Sequence, residues 1–169
     1  MPRPSKRDSM PNRDERFMLA ALEVARTAVG RTGDNPSVGC VIVRDEQVVA
    51  QGCTQPPGGS HAEVMAVRAA EAAGVPIAGA EVFVILEPCS FTGRTPPCSD
   101  LLVAKRPGRV VVGVRDPHPL VRGAGLAHLR AAGIDVVEGV AAAAVRAFLA
   151  DWIARFEAEP RDDQRPARP

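Results

Sequence analysis

Apolar residues recur along this chain with two different periods, and the switches between them outline its elements. In residues 14–30, Phe17, Leu19, Ala20, Leu22, Val24, Ala25 and Ala28 follow a helical distribution that Gly30 is placed to stop. Val38–Val43 and Gln47–Gly52 are short β-branched runs joined by Arg44-Asp45-Glu46, which predicts an antiparallel hairpin. Thr54–Ser60 reads as a loop, and His61–Ala73 as a helix that ends at Gly74. Val82–Leu86 and Val110–Val114 are continuous apolar runs, the pattern of strands covered on both faces. Between them lie a Pro- and Gly-rich excursion, Pro88–Pro97, and a short helix around Ser99–Lys105. A short helix over Gly125–Ala132, a strand over Ile134–Val137 and an amphipathic helix over Ala141–Glu157 complete the pattern. Strands alternating with helices predict an α/β fold of three layers, with a largely parallel sheet covered on both faces.

The chain has 169 residues, the size of one ordinary domain. Polar, proline-rich ends at residues 1–12 and 159–169 are expected to be mobile, leaving 13–158 as the folded domain. Net charge is +1, so no polycation is available to hold nucleic acid by neutralising phosphates. No apolar run approaches the roughly 20 residues of a membrane span, and the N-terminus lacks a signal-peptide core. A cytoplasmic protein with neither nucleic-acid nor membrane partners is therefore expected. In a reducing compartment, Cys40, Cys53, Cys89 and Cys98 read as core thiols or metal ligands.

Three features could carry chemistry: His61-Ala62-Glu63 at a helix start, Pro88-Cys89 after a buried strand, and Cys98 at the next helix start. Helix starts and the C-terminal ends of parallel strands share one edge of an open sheet, so His61, Cys89 and Cys98 are expected to converge. One His and two Cys suit Zn²⁺, and three protein ligands leave a fourth position for water, which favours catalysis over a structural site. Glu63 is spaced to move protons beside such a site.

Zinc nucleobase deaminases carry H-x-E with P-C-x-x-C. Here His61-Ala62-Glu63 and Pro88-Cys89 match, but eight residues separate the cysteines. With that insertion, the string LEPCSFTGRTPPC resembles the deaminase domain of the riboflavin-biosynthesis deaminase/reductase family. Asn35-Pro36-Ser37-Val38-Gly39-Cys40, the HAEV stretch, Asp116-Pro117-His118-Pro119 and the pair Gly123 and Gly125 are similar in order and spacing. The resemblance covers roughly residues 14–140. It implies a cytidine-deaminase-like sandwich with a mixed five-stranded sheet, the hairpin strand running antiparallel. It also implies hydrolysis of the 2-amino group of a diaminopyrimidinone carrying a ribosylamino 5-phosphate, with release of ammonia. By that resemblance His61, Cys89 and Cys98 are zinc ligands, Glu63 is the proton shuttle, Asn35 holds the pyrimidine, and Arg94 with Thr95 contact substrate. Phe91 and Thr54 stand where many relatives have His. The chain ends about 30 residues past the deaminase pattern, so a separate reductase is expected to perform the next step, and association into a homo-oligomer is expected by analogy.

Other readings compete. Ser60-x-x-Glu63 also fits a capping box. Cys40 and Cys53 read as small buried hydrophobes, His118 as an exposed turn residue with a place on the substrate rim as the alternative, and His128 as structural. Arg94 could be a solvated loop charge, and Trp152 with Phe156 could be core or interface packing. A related deaminase of another small pyrimidine or purine, and a non-catalytic zinc-binding partner domain, are the alternative functions.

Overall fold

The computed structural model describes residues 10–93 and 95–157. Helix α1 spans Arg13–Arg26, and Asn12 caps it. The Asn12 side chain accepts from the Glu15 N–H at 3.0 Å while Glu15 returns the bond to the Asn12 N–H at 2.9 Å. Met18, Ala21, Leu22 and Ala25 form its buried stripe. Turns, rather than helix, carry the chain from Thr27 to Gly30, so the helix stops earlier than its apolar pattern suggests.

Strands β1 (Gly39–Arg44) and β2 (Gln47–Cys53) pair antiparallel around Asp45 and Glu46, both at positive φ as a two-residue hairpin turn requires. Helix α2 (Ala62–Ala72) leads to β3 (Glu81–Leu86), followed by α3 (Cys98–Lys105), β4 (Arg109–Val114), α4 (Ala124–Ala131) and β5 (Asp135–Glu138). The sheet order is β2-β1-β3-β4-β5. Strand β1 runs antiparallel to both its neighbours, whereas β3, β4 and β5 are parallel, so the sheet is mixed as expected. Beyond Glu81 and Arg109 at their starts, β3 and β4 are buried throughout.

The layers follow from strand alternation. Phe83 meets Phe17 of α1, with ring centroids 5.3 Å apart. A Cβ on Gly39 would lie 2.0 Å from the Ala21 carbonyl oxygen, so glycine lets α1 press directly onto β1. On the opposite face Gly52 meets the α2 backbone in the same way.

The last helix departs from expectation. It is two helices, α5 (Ala142–Phe148) and α6 (Ala150–Glu157), broken at Leu149, where ψ is 16°. Val145, Leu149 and Ile153 remain in the core across the break, and the new direction of α6 aims Trp152 at the sheet edge described next. Among the described residues, no helix is long and apolar enough to cross a membrane.

Candidate active site

The C-terminal ends of β3 and β4 open into a cleft of about 500 Å³. At its floor three elements bring His61, Cys89 and Cys98 together, their ligand atoms all within 4.8 Å of one another. His61 Nδ1 lies 3.7 Å from Cys89 Sγ and 3.4 Å from Cys98 Sγ. A tetrahedral zinc with Zn–S of about 2.3 Å and Zn–N of about 2.1 Å would separate S from N by about 3.6 Å. The donor set and its spacing therefore fit zinc.

Local structure fixes each group. His61 sits at the N-cap of α2 without a side-chain capping bond, which frees its ring for the site. Cys89 follows β3 and takes the place of a side-chain cap for α3: its Sγ accepts from the Cys98 N–H at 3.2 Å and its carbonyl from the Ser99 N–H at 3.1 Å. Sharing the Cys98 proton, with help from His61 and the α3 amide, holds the Cys89 thiol well below the usual range, against its burial. The Cys98 thiol is pushed up by the same sharing and by burial. The hydrogen bond to Cys89 raises the His61 imidazole above its ordinary value.

Glu63 is not the cap that S-x-x-E suggested. Ser60 lies before the N-cap, and its hydroxyl accepts from Arg68 at 3.1 Å. Glu63 instead faces the cleft, only 4% exposed, and burial pushes its carboxyl up to about 7. A group poised there can give or take a proton near neutrality.

Asn35, Thr54, Phe91 and Thr95 also line the cleft. The Thr54 hydroxyl is committed to the Val38 N–H at 3.0 Å. Arg94 lies outside the described residues. Cys40 is fully buried as expected, but Cys53 is only half-buried and its sulfur receives the Thr27 hydroxyl at 3.6 Å. His128 pairs with Asp100 at 2.8 Å, a surface role.

Three further residues shape the cleft. His118 is not an exposed turn residue: it is half-buried, stacks on Phe91 at 5.3 Å and packs against Phe156 at 5.2 Å. Glu87, directly after β3, accepts from the backbone N–H groups of Asp116, Gly123 and Leu126, and so locks the loop after β4 beside Cys89. Trp152 reaches the cleft from α6 and donates its indole N–H to Asp116 Oδ1 at 3.2 Å. Asp116 and His118 had a sequence signal through the Asp-Pro-His-Pro string, and Glu87 lies within LEPCSFTGRTPPC; Trp152 had none.

Residues 11–114 match the cytidine and deoxycytidylate deaminase zinc-binding region. The riboflavin biosynthesis protein RibD of Escherichia coli K12 is 49% identical over 127 residues, which are 75% of this chain and 34% of that protein. The solved structure of Acinetobacter baumannii RibD superposes with a TM-score of 0.81 at 38% identity, covering 86% of this chain and 40% of the other. A diaminohydroxyphosphoribosylaminopyrimidine deaminase/5-amino-6-(5-phosphoribosylamino)uracil reductase from Thermotoga maritima superposes at 0.80 with 39% identity, covering 86% and 41%. The chain thus spans about a third of the length of the curated relatives it matches. With the match running from the start of α1 to the end of β4, through all three metal-competent side chains, the chain belongs to the cytidine and deoxycytidylate deaminase zinc-binding family.

Proposed function

We propose that the protein is a zinc-dependent hydrolase that removes the 2-amino group of diaminohydroxyphosphoribosylaminopyrimidine, the riboflavin-pathway pyrimidine. The observation that carries this reading is the juxtaposition of Glu63, buried with its carboxyl near 7, and the His61–Cys89–Cys98 cluster in one cleft. The names of the E. coli and T. maritima relatives support the substrate class. In this reading His61, Cys89 and Cys98 hold zinc. Zinc bound there supplies an activated water near neutral pH. Glu63 takes one proton from the attacking water and delivers it to the ring nitrogen, then takes the remaining proton from the added hydroxyl and gives it to the amino group, which leaves as ammonia while the carbonyl forms. Asn35 at the cleft wall orients the pyrimidine, and Thr95 and Arg94 serve the ribose phosphate end, for which a guanidinium is suited. The product is an aminouracil ribotide, whose onward reduction falls to a reductase, as the double name of the T. maritima relative suggests.

A specific feature favours a second reading, a deaminase of another small pyrimidine or purine. The Phe91–His118 stack gives the cleft an aromatic wall that would accept either ring system. Ammonia release by zinc-loaded protein from the diaminopyrimidinone ribotide, cytidine and guanine separates the two. Turnover of the ribotide alone is expected; turnover of cytidine or guanine alone overturns the first reading. Glu63→Gln should keep zinc and lose roughly 10²–10⁴-fold in rate. Parent-like turnover in that variant would reduce Glu63 to a bystander, and zinc without turnover on any compound would leave a binding domain.

A further inference from the structure

Helix α6 carries three contacts that a packing helix does not need. Trp152 donates to Asp116, Phe156 packs on the His118 ring, and the Arg155 guanidinium donates to the Asp34 carbonyl at 2.8 Å while lying 5.6 Å from the centre of the Trp152 ring. Asp34, Asp116 and His118 all line the cleft. The helix is therefore fastened to two separate segments of the cleft wall. Ile153 anchors the helix in the core and Trp152 packs against that core, so the polar contacts of Trp152 and Arg155 come in addition to hydrophobic docking.

Asp116 is the centre of this arrangement. It is 7% exposed, and burial raises its carboxyl. A carboxylate in such a place needs donors. Oδ1 receives two, the His118 N–H at 2.9 Å and the Trp152 indole N–H at 3.2 Å. Oδ2 receives none from the protein among the described residues and is not sealed from solvent. One oxygen is thus pinned, and the other, on a residue that lines the cleft, has no protein partner among the described residues. The indole fixes the rotation of the carboxylate about its last bond, which decides where the open oxygen points.

From this geometry we infer that Trp152 is a positioning residue for substrate, acting through Asp116, and that α6 is part of the binding site. The inference rests on the deaminase reading above. It assigns Asp116 Oδ2 as the acceptor for an N–H or O–H of the substrate remote from the reacting carbon. A contact of that kind is equal in ground and transition states, so its loss falls on KM and spares kcat.

Trp152 is the chain's single tryptophan, so its indole N–H gives one unambiguous resonance in a ¹⁵N-labelled sample. Titrating the zinc-loaded Glu63→Gln protein with the diaminopyrimidinone ribotide should move that resonance saturably. Trp152→Phe keeps a ring and removes the donor. It should raise KM about tenfold with kcat within about twofold. In an Asp116→Ala background the same change should add little, because the two residues act on one contact. An unchanged KM, a fall confined to kcat, or fully additive effects would overturn the inference and leave Trp152 as packing. Should the parent protein turn over cytidine or guanine and not the ribotide, the substrate reading fails alone. The KM comparison and the titration are then made on the compound that is turned over, with the same outcomes deciding the role of Trp152.

Discussion

The candidate metal cluster and its buried acid use side chains that have few other reasons to meet. A histidine and two cysteines can pack anywhere singly, but Nδ1 and two Sγ atoms within 4.8 Å of one another form a group that could hold a metal ion. Cys98→Ser should therefore lose most of its zinc, since a neutral hydroxyl is a far poorer ligand than a thiolate, whereas Cys40→Ser should retain it. Elemental analysis checks both. Full occupancy in Cys98→Ser would remove that residue from the site. At this scale the sequence was easiest to read where chemistry is rare: His61-Ala62-Glu63 and the two cysteines announce themselves by type and order. Glu63 was ambiguous because S-x-x-E has a structural use as well. Only the position of the N-cap at His61, one residue later than the box needs, sends the carboxylate to the cleft.

Elements built on a buried stripe were legible because their periods are local. The strands β3 and β4 and the hairpin β1–β2 fall where their apolar runs fall. The break at Leu149 was not legible, because Val145, Leu149 and Ile153 keep a helical spacing straight through it. What the break decides is which way Trp152 faces, and that depends on Asp116, 36 residues earlier. Close approach between elements leaves a similar, testable mark at Gly125. A Cβ there would lie 2.1 Å from the carbonyl oxygen of Pro88, the neighbour of Cys89. Gly125→Ala must push α4 away from the end of β3, at a cost of about 1–3 kcal/mol. A lower Tm together with weaker zinc retention is expected. Zinc retention equal to the parent's, measured against a chelator, would show that the shift is absorbed by α4 alone.

For the molecule as a whole, the two ends of the sheet do different work. The cleft occupies the C-terminal ends of β3 and β4. At their starts, an ion-pair network joins the sheet to α1: Arg13 to Glu81 at 2.6 Å, Arg109 to Asp14 at 2.5 Å and Arg109 to Glu81 at 3.1 Å. The hydrogen bond from Arg109 holds the Asp14 carboxyl below its ordinary 3.8, and that from Arg13 holds Glu81 below its ordinary 4.5. Both acids bind protons more weakly folded than unfolded. Their stabilisation is complete above those ordinary values and is lost as pH falls through the lower folded ones. Tm should decline with acidification below about pH 4.5, and Arg109→Leu should flatten that decline. Identical slopes in parent and variant would show that other groups govern acid unfolding. The far end of the sheet has its own coupling. Because Cys89 supplies both the sulfur and the carbonyl that receive the first amides of α3, the residue proposed to ligate metal also decides how tightly that helix is wound at its start. Chelating the zinc should then be visible as faster amide hydrogen exchange in the first turn of α3, while α1, capped by its own Asn12 and Glu15, keeps its protection. Equal exchange before and after chelation would uncouple the two. If they are coupled, metal loss spreads as backbone motion through one helix before any unfolding of the sheet.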